Sequence, residues 1–179
     1  MSIGDTIATV VRRDGGSAVG FEPPLIDDGE RLWQLAIDSR TLDVNSRYSY
    51  LLWCRDFADT SVVARHDCEP DGFITGYRRP DSPGTLFIWQ VAVADSHRRQ
   101  GLARRMLDHL VNRLLPHGVT ALEATVTPDN LPSTRLFTSF AKTREAELQR
   151  EELFSGEQLG EGHLAEVLFR ILPLSPTTR

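Results

Sequence analysis

Leu86-Phe87-Ile88-Trp89-Gln90-Val91-Ala92-Val93, followed by Asp95-Ser96-His97-Arg98-Arg99-Gln100-Gly101-Leu102-Ala103, is the stretch that decides the fold. The first part is apolar almost throughout, which suits a central strand covered on both faces. The second part runs into Gly101 to Leu115. There Leu102, Met106, Leu110 and Leu114 recur every four residues while Arg105, Asp108, Asn112 and Arg113 face away, as in an amphipathic helix. A strand thus delivers the chain to a tight loop, and a helix starts from it. The first amides of that helix have no internal partner, and the helix dipole adds partial positive charge. Gly101 allows close approach of a ligand to the backbone, Ala103 keeps the next position small, and Arg98 and Arg99 carry charge suited to phosphate. Two readings stand on these residues alone: an ordinary helix start with a basic first turn, and a phosphate site. Basic residues there oppose the dipole, and a nearby anion would explain them.

Upstream, Asp27-Asp28 opens a helical stretch with Leu32, Leu35 and Ala36 on one face. A loop covers Asp38 to Asn45, and Ser46 caps a second helix to about Arg55. Ser61 to Ala64 and Gly72 to Tyr77 read as strands about a turn through Asp67 to Asp71, and Pro80 to Gly84 makes another turn. Downstream come a strand at Leu122 to Thr127, a helix at Asn130 to Phe140, and strands at Glu147 to Phe154 and Leu164 to Leu172. A Gly-rich hairpin through Gly156, Gly160 and Gly162 joins the last two. The order is helix, helix, three strands, helix, strand, helix, strand, strand. It predicts an α/β domain with a mixed sheet and helices on both faces. Residues 1–23 read as a loose leader, 24–173 as one domain and 174–179 as a tail.

A chain of 179 residues, 40% hydrophobic, supports one core and not two. Its net charge of -5 argues against nucleic-acid backbones and suits a small cation better. Cys54 and Cys68 form no CxxC pair. His66-Asp67-Cys68 lie too close together for ligand spacing and read as a hairpin turn, so no metal is expected. Met1 to Gly20 lacks an apolar signal core, and no run approaches the ~18 apolar residues of a membrane span. The expectation is a cytoplasmic protein with reduced thiols and no membrane partner.

Arg98-x-x-Gly101-x-Ala103, placed after Val91-Ala92-Val93, resembles motif A of the GNAT N-acetyltransferase superfamily. Asn130-Leu131-Pro132-Ser133-Thr134-Arg135-Leu136-Phe137 resembles its motif B. The likeness covers about residues 60–172. It implies a GNAT-type acyl-CoA acyltransferase fold, a central mixed, mostly antiparallel sheet flanked by helices. It implies acetyl-CoA as cosubstrate, held by Val91, Val93, Arg98, Arg99, Gln100, Gly101, Leu102, Ala103, Asn130, Ser133 and Phe137. In that family the loop amides hold the CoA pyrophosphate. The preceding strand splays from its neighbour, and an amide near Val91 serves as the oxyanion-hole candidate. Asn130 reads equally well as a helix N-cap. Many members carry a Tyr that protonates the CoA thiolate where this chain has Phe137, which has no proton to give.

A closer likeness lies in Leu42-Asp43-Val44-Asn45-Ser46-Arg47-Tyr48-Ser49-Tyr50, in Phe87 to Val93, and in Gly160-Glu161-Gly162-His163-Leu164-Ala165-Glu166-Val167-Leu168-Phe169. Together these resemble the L-2,4-diaminobutyrate acetyltransferases of ectoine biosynthesis over about Pro24 to Pro173. The resemblance implies acetyl transfer to the γ-amine, with Asp43, Glu166 and His163 as catalytic and substrate groups and Tyr48 and Trp89 in the substrate pocket. Nothing near Cys54 or Cys68 resembles an activating base, so direct attack of the amine in a ternary complex is expected. Other readings remain for each. Asp43 suits a loop acid beside a helix start, Glu166 an exposed strand residue, His163 and Tyr48 surface or packing residues, and Trp89 the core. Glu166 interrupts an otherwise apolar strand just after Gly160 and Gly162. Arg47 and Arg78 could meet a substrate carboxylate. Glu145 to Glu166 holds seven Glu, a solvated face that would also draw a cation. The alternatives are a GNAT enzyme for another small or peptide amine and a non-catalytic acyl-CoA-binding domain. A homodimer is expected because the family pairs and Tyr50-Leu51-Leu52-Trp53 needs cover, which packing within the chain would provide equally well.

Overall fold

A computed structural model describes residues 19–66 and 68–176. The elements are β1 (Gly20–Glu22), α1 (Gly29–Ser39), α2 (Arg47–Asp56), β2 (Val62–His66), β3 (Glu69–Arg79), β4 (Ser82–Val93), α3 (Leu102–Leu114), β5 (Ala121–Val126), α4 (Leu131–Thr143), β6 (Glu147–Phe154), α5 (Gly156–Leu159) and β7 (Glu166–Leu172). The seven strands form one sheet in the order β1-β2-β3-β4-β5-β7-β6. Every pairing is antiparallel except β4 with β5. The expected mixed, mostly antiparallel sheet is therefore present.

Side chains alternate across this sheet as strand geometry requires. Val62, Ala64 and Ile74 join Met106, Leu107, Leu110 and Val111 of α3 and Phe137 and Phe140 of α4 in one core. Val63 and Phe73 point the other way, to Leu32, Leu35 and Ala36 of α1 and Tyr50 and Cys54 of α2. The four-residue recurrence in α3 places Met106, Leu107, Leu110 and Val111 fully out of water. Each such side chain stabilises the fold by roughly 1.5–3 kcal/mol. Helices thus cover both faces, and the sheet holds them apart.

The sheet opens at its centre. β4 and β5 pair only from Thr85 with Ala121 to Ile88 with Ala124. Beyond that point β4 stays with β3 up to Val93, while β5 stays with β7 up to Val126. The gap between the two diverging strands is where α3 and α4 begin.

Four sequence expectations change. The leader does not extend to residue 23, because Gly20–Glu22 pairs with β2. Phe21 packs on His109 at 5.6 Å and under Arg105 at 5.1 Å, and Glu22 and Asp28 share Arg65. Three residues carry no readable period, so tertiary packing decides this strand. Residues 1–18 of that leader, residues 177–179 of the tail, and Asp67 of the expected turn lie outside the described residues. Strand β3 is longer than expected at both ends, with His66 paired to Glu69. The expected turn at Pro80 to Gly84 shrinks to Pro80 and Asp81, with Asp81 held by Arg79 at 2.7 Å. The Gly-rich hairpin contains α5, because Ser155 accepts from Gln158 N while the Gln158 side chain accepts from Ser155 N, a reciprocal cap.

Candidate active site

The loop between β4 and α3 turns twice through left-handed backbone, at Arg99 (φ 60°) and at Gly101 (φ 73°). Gly101 adopts this without cost, and the helix begins at once with Arg105 N donating to Gly101 O at 3.0 Å. Below the loop lies a cleft of about 740 Å³. Val91 and Val93 of β4, Arg98, Arg99, Gly101, Leu102 and Ala103 of the loop and helix start, and Asn130, Ser133 and Leu136 of α4 line it. Ser39 and Thr41, at the end of α1, close its far side. The cleft thus occupies the gap where β4 leaves β5. Arg98 is braced rather than free. It donates to Val93 O at 3.3 Å and Ser39 O at 3.5 Å and pairs with Asp95 at 2.8 Å. Asn130 Oδ1 accepts from Ser133 N at 3.1 Å, so it caps α4 and lines the cleft at once.

A second group of polar residues joins β7, β5, β4 and the α1–α2 loop. Glu166 begins β7 opposite Phe154 of β6 and is half-buried. Burial pushes its carboxyl above the usual range, and the charge of Asp43 adds to this, while the Thr125 side chain favours the charged form. Asp43 lies in the α1–α2 loop, which β4 holds in place. Gln90 Nε2 donates to Asp43 O at 2.9 Å, and Tyr50 OH donates to Gln90 Oε1 at 3.1 Å. Gln90 is 6% exposed and Tyr50 1%. Burial raises the Tyr50 phenol, so it remains a donor across the ordinary pH range. Trp89, next along β4, is 49% exposed and stacks on Trp53 of α2 at 6.1 Å.

With the cleft and the carboxylates in view, the comparisons with known proteins can be stated. The sequence pattern of the Acetyltransferase (GNAT) family matches residues 29–141, which include β4, the loop and the starts of α3 and α4. The chain belongs to the GNAT acetyltransferase family. It is 56% identical over 159 residues to the L-2,4-diaminobutyric acid acetyltransferase of Streptomyces coelicolor, covering 87% of this chain and 93% of that protein. It is 51% identical to the enzyme of the same description from Streptomyces anulatus, with 88% and 91% covered. Among solved structures it resembles diaminobutyrate acetyltransferase EctA from Paenibacillus lautus in complex with its substrate L-2,4-diaminobutyric acid and coenzyme A. The TM-score is 0.84 at 42% identity, covering 88% of this chain and 96% of that one.

Within this GNAT domain the residues expected from sequence separate into groups. Val91, Val93, Arg98, Arg99, Gly101, Leu102, Ala103, Asn130 and Ser133 meet at the cleft. Gln100 does not line it, because its amide turns back to Ser96 O at 2.9 Å. Phe137 does not either; it is 3% exposed and its ring fills the core against Phe169 at 6.3 Å. Asp43 and Glu166 come within electrostatic reach of each other. His163 and Tyr48 are exposed, and neither side chain makes a hydrogen bond among the described residues. Trp89 lies outside the core that its apolar strand suggested. Arg47 serves elsewhere, paired with Glu30 at 3.1 Å and lying over Trp33 at 4.2 Å, and Arg78 donates to Pro83 O at 3.4 Å. Cys54 is buried and its thiol is pushed up to about 12, chiefly by burial, so it is not a nucleophile at neutral pH.

Sequence reasoning missed Gln90, Tyr50 and Thr125, together with Arg104 and Arg135, which also line the cleft. Gln90 offered a signal. It is the one amide in an apolar run, and a buried amide needs partners. In the sequence Tyr50 reads as part of the stretch around Asp43 and of an apolar run needing cover, with no role of its own, and the core covers it.

Proposed function

We propose that this chain transfers the acetyl group of acetyl-CoA to the γ-amine of L-2,4-diaminobutyrate. The product is N4-acetyl-L-2,4-diaminobutyrate, the acetylated intermediate of ectoine synthesis. One observation carries the reading: the half-buried Glu166 lies within electrostatic reach of Asp43, in a chain that also holds a cleft built from both GNAT motifs and is 42% identical to a protein solved with that diamine and coenzyme A. The substrate has two ammonium groups, and two adjacent carboxylates match them. The exposed face of Trp89 offers a cation–π surface for one of them. Tyr48 and His163 border the same region in sequence and are assigned to substrate contact.

The reacting amine has a reference pKa near ~10.4 and must lose a proton before it attacks. Glu166 takes that proton in our scheme. Its raised pKa makes it a stronger base than an ordinary glutamate, and Asp43 and Thr125 set its balance. The nitrogen lone pair then adds to the thioester carbon. A backbone N–H near Val91 meets the developing oxyanion. The C–N bond forms, the nitrogen gives its second proton to water, the C–S bond breaks, and CoA leaves as the thiolate. Phe137 has no proton to give and lies in the core, so water protonates the thiolate. Arg98, Arg99 and the first amides of α3 hold the pyrophosphate. We place the enzyme in the cytoplasm as a homodimer, with the exposed Leu51 and Phe57 as apolar surface available for pairing.

The test is acetyl-CoA consumption with 2,4-diaminobutyrate beside ornithine, lysine, spermidine and a peptide amine, with products located by NMR. Preference for diaminobutyrate with acetylation at N4 supports the proposal. Turnover of another amine alone leaves a GNAT enzyme of different specificity. Acetyl-CoA binding without turnover of any amine makes the chain a binding module.

A further inference from the structure

The reaction uses none of His66, Asp71 and His97, yet three separate segments bring them together. His66 ends β2, Asp71 lies in β3, and His97 sits in the short turn before Arg98. Asp71 Oδ2 is 3.5 Å from His66 Nδ1 and 3.8 Å from His97 Nδ1. One donor atom from each of the three residues lies within 4.8 Å of the other two. The imidazoles stack at 5.1 Å with 24° between their planes, so both rings present the same edge to one carboxylate oxygen. All three side chains are largely shielded, at 26%, 15% and 25% exposure. His66 Nδ1 is closed off from water and has no hydrogen-bond partner among the described residues. A buried ring nitrogen without a partner costs free energy, and a ligand there would offset it. The sequence suggested only His66-Asp67-Cys68, a turn; the fold selects a different trio.

We propose that His66, Asp71 and His97 bind a zinc-class divalent cation that ties the cofactor loop to β2 and β3. Two imidazole nitrogens and one carboxylate oxygen suit zinc or cobalt, whereas magnesium and calcium favour oxygen donors throughout. A tetrahedral ion with bonds of about 2.1 Å sets its donors about 3.4 Å apart. The observed 3.5 and 3.8 Å need to close by a few tenths of an ångström, the third pair lies within 4.8 Å, and His97 Nδ1 would exchange its 3.0 Å contact with Ser96 Oγ for the ion. Water completes the shell. His97 also lines the cleft, and the left-handed Arg99 and Gly101 follow it directly. Asp71 O already accepts from Ala94 N at 2.7 Å, so the ion would add a second tie between β3 and this loop. A loop fixed in advance loses less freedom when its ligand binds, so the ion strengthens acetyl-CoA binding. This last step rests on the acetyl-CoA reading of the cleft; the ion site itself does not.

The experiment uses the untagged full chain stripped with EDTA. Zinc is titrated in competition with a chromophoric chelator, and cobalt binding is followed by its visible absorption. The expected result is one equivalent bound with a four-coordinate cobalt spectrum, and affinity at least about tenfold lower in His66→Gln and in Asp71→Asn. Zinc should then lower the Kd of acetyl-CoA about threefold in the native chain and leave it unchanged in His66→Gln. Acetyl-CoA is used because its thioester, unlike free CoA, has no thiol to capture the metal. Melting in EDTA checks that His66→Gln is folded, and Asp71→Asn carries the comparison if it is not. Equal zinc binding by native and both variant chains, or none by the native chain, overturns the proposal and leaves the trio a packing contact. Zinc binding without acetyl-CoA binding sustains the ion site and removes the reading of the cleft.

Discussion

Replacing Gln90 with leucine removes a side chain that joins β4 to both the α1–α2 loop and the interior of α2. The volume is nearly kept, so the change is chemical. Asp43 O loses its donor at 2.9 Å and Tyr50 OH its acceptor at 3.1 Å. Both Gln90 and Tyr50 are almost fully buried, so no water replaces the lost bond between them, and the Tyr50 hydroxyl keeps only its contact with Asn45. An unsatisfied buried polar group costs about 1–3 kcal/mol, which sets the expected fall in stability. The functional effect is narrower. With its carbonyl released, Asp43 no longer holds a fixed position near Glu166, and the site loses a positioned acid for the diamine. A loss of about 1.4 kcal/mol in diamine binding is a tenfold rise in its KM. The KM for acetyl-CoA should not move, because Gln90 does not line the cofactor cleft. Steady-state kinetics with each substrate varied in turn reads this split. Tyr50→Phe, which leaves the Gln90–Asp43 bond intact, should lose stability with little change in the diamine KM. If Gln90→Leu and Tyr50→Phe raise both KM values together, or if neither variant moves the diamine KM, Gln90 only stabilises the fold and the positioning argument fails.

Glu166→Gln should cut kcat/KM for the diamine about 10²- to 10⁴-fold and abolish the acidic limb of its pH profile, which in the native enzyme should lie above the ordinary glutamate range. A carboxyl raised in the fold costs stability once the pH passes the unfolded value of about 4.3, and the cost disappears below it. Glu166→Gln should therefore melt at least as high as the native chain at pH 8, with the difference gone near pH 4; a variant clearly less stable at pH 8 would contradict the assigned shift. Gly101→Ala forces a Cβ into left-handed backbone at φ 73°, and no heavy atom lies within 4 Å of that Cβ, so the strain alone should cost about 1–2 kcal/mol. Calorimetry should show weaker acetyl-CoA binding for it, and undiminished affinity would mean that the loop does not hold the cosubstrate. Phe137→Tyr should not speed the reaction, since its hydroxyl would enter the core beside Phe169; the expected outcome is a loss of about 1–3 kcal/mol in urea, and a gain in kcat would show that a proton donor can act from this position.

The readable parts of the fold were those with one dominant local signal. Leu102, Met106, Leu110 and Leu114 fixed α3 and its buried face before any contact was known. Ser46 marked the start of α2, and its hydroxyl does accept from Ser49 N at 3.4 Å. The cofactor cleft was legible for the same reason, since a loop and two helix starts carry its residues in order along the chain. What stayed hidden depended on partners far away in sequence. β1 exists through pairing with β2, where Glu22 faces Val63, and through the Glu22–Arg65 ion pair, 43 residues apart. The Tyr50–Gln90 bond spans 40 residues, and the Gln90–Asp43 bond 47. Neither gives a periodic trace. Phe137 matched a motif position, yet its role follows from what packs around it, and that is core.

The least legible feature is also the one that organises the site. Along β3, Thr75 faces Gln90 and the next residue, Gly76, faces Ile88, so Trp89 is an extra residue in β4. Such a bulge shifts the phase of a strand by one. Before it, Leu86 and Ile88 point to the α3–α4 core; after it, Val91 and Val93 do, and Ala92 turns to the α1–α2 core. An unbroken strand would keep even-numbered residues on the α3–α4 side. Gln90 would then be buried among leucines without a partner, and Val91 and Val93 would leave the cleft. With the bulge, Gln90 reaches Asp43, the two valines line the cleft, and Trp89 is released to the surface against Trp53. Gly76 permits it, because a Cβ there would lie 2.9 Å from Phe87 O and 3.0 Å from Thr60 O. One inserted residue therefore places the loop anchor, the cleft wall and the exposed aromatic at the point where β4 leaves β5.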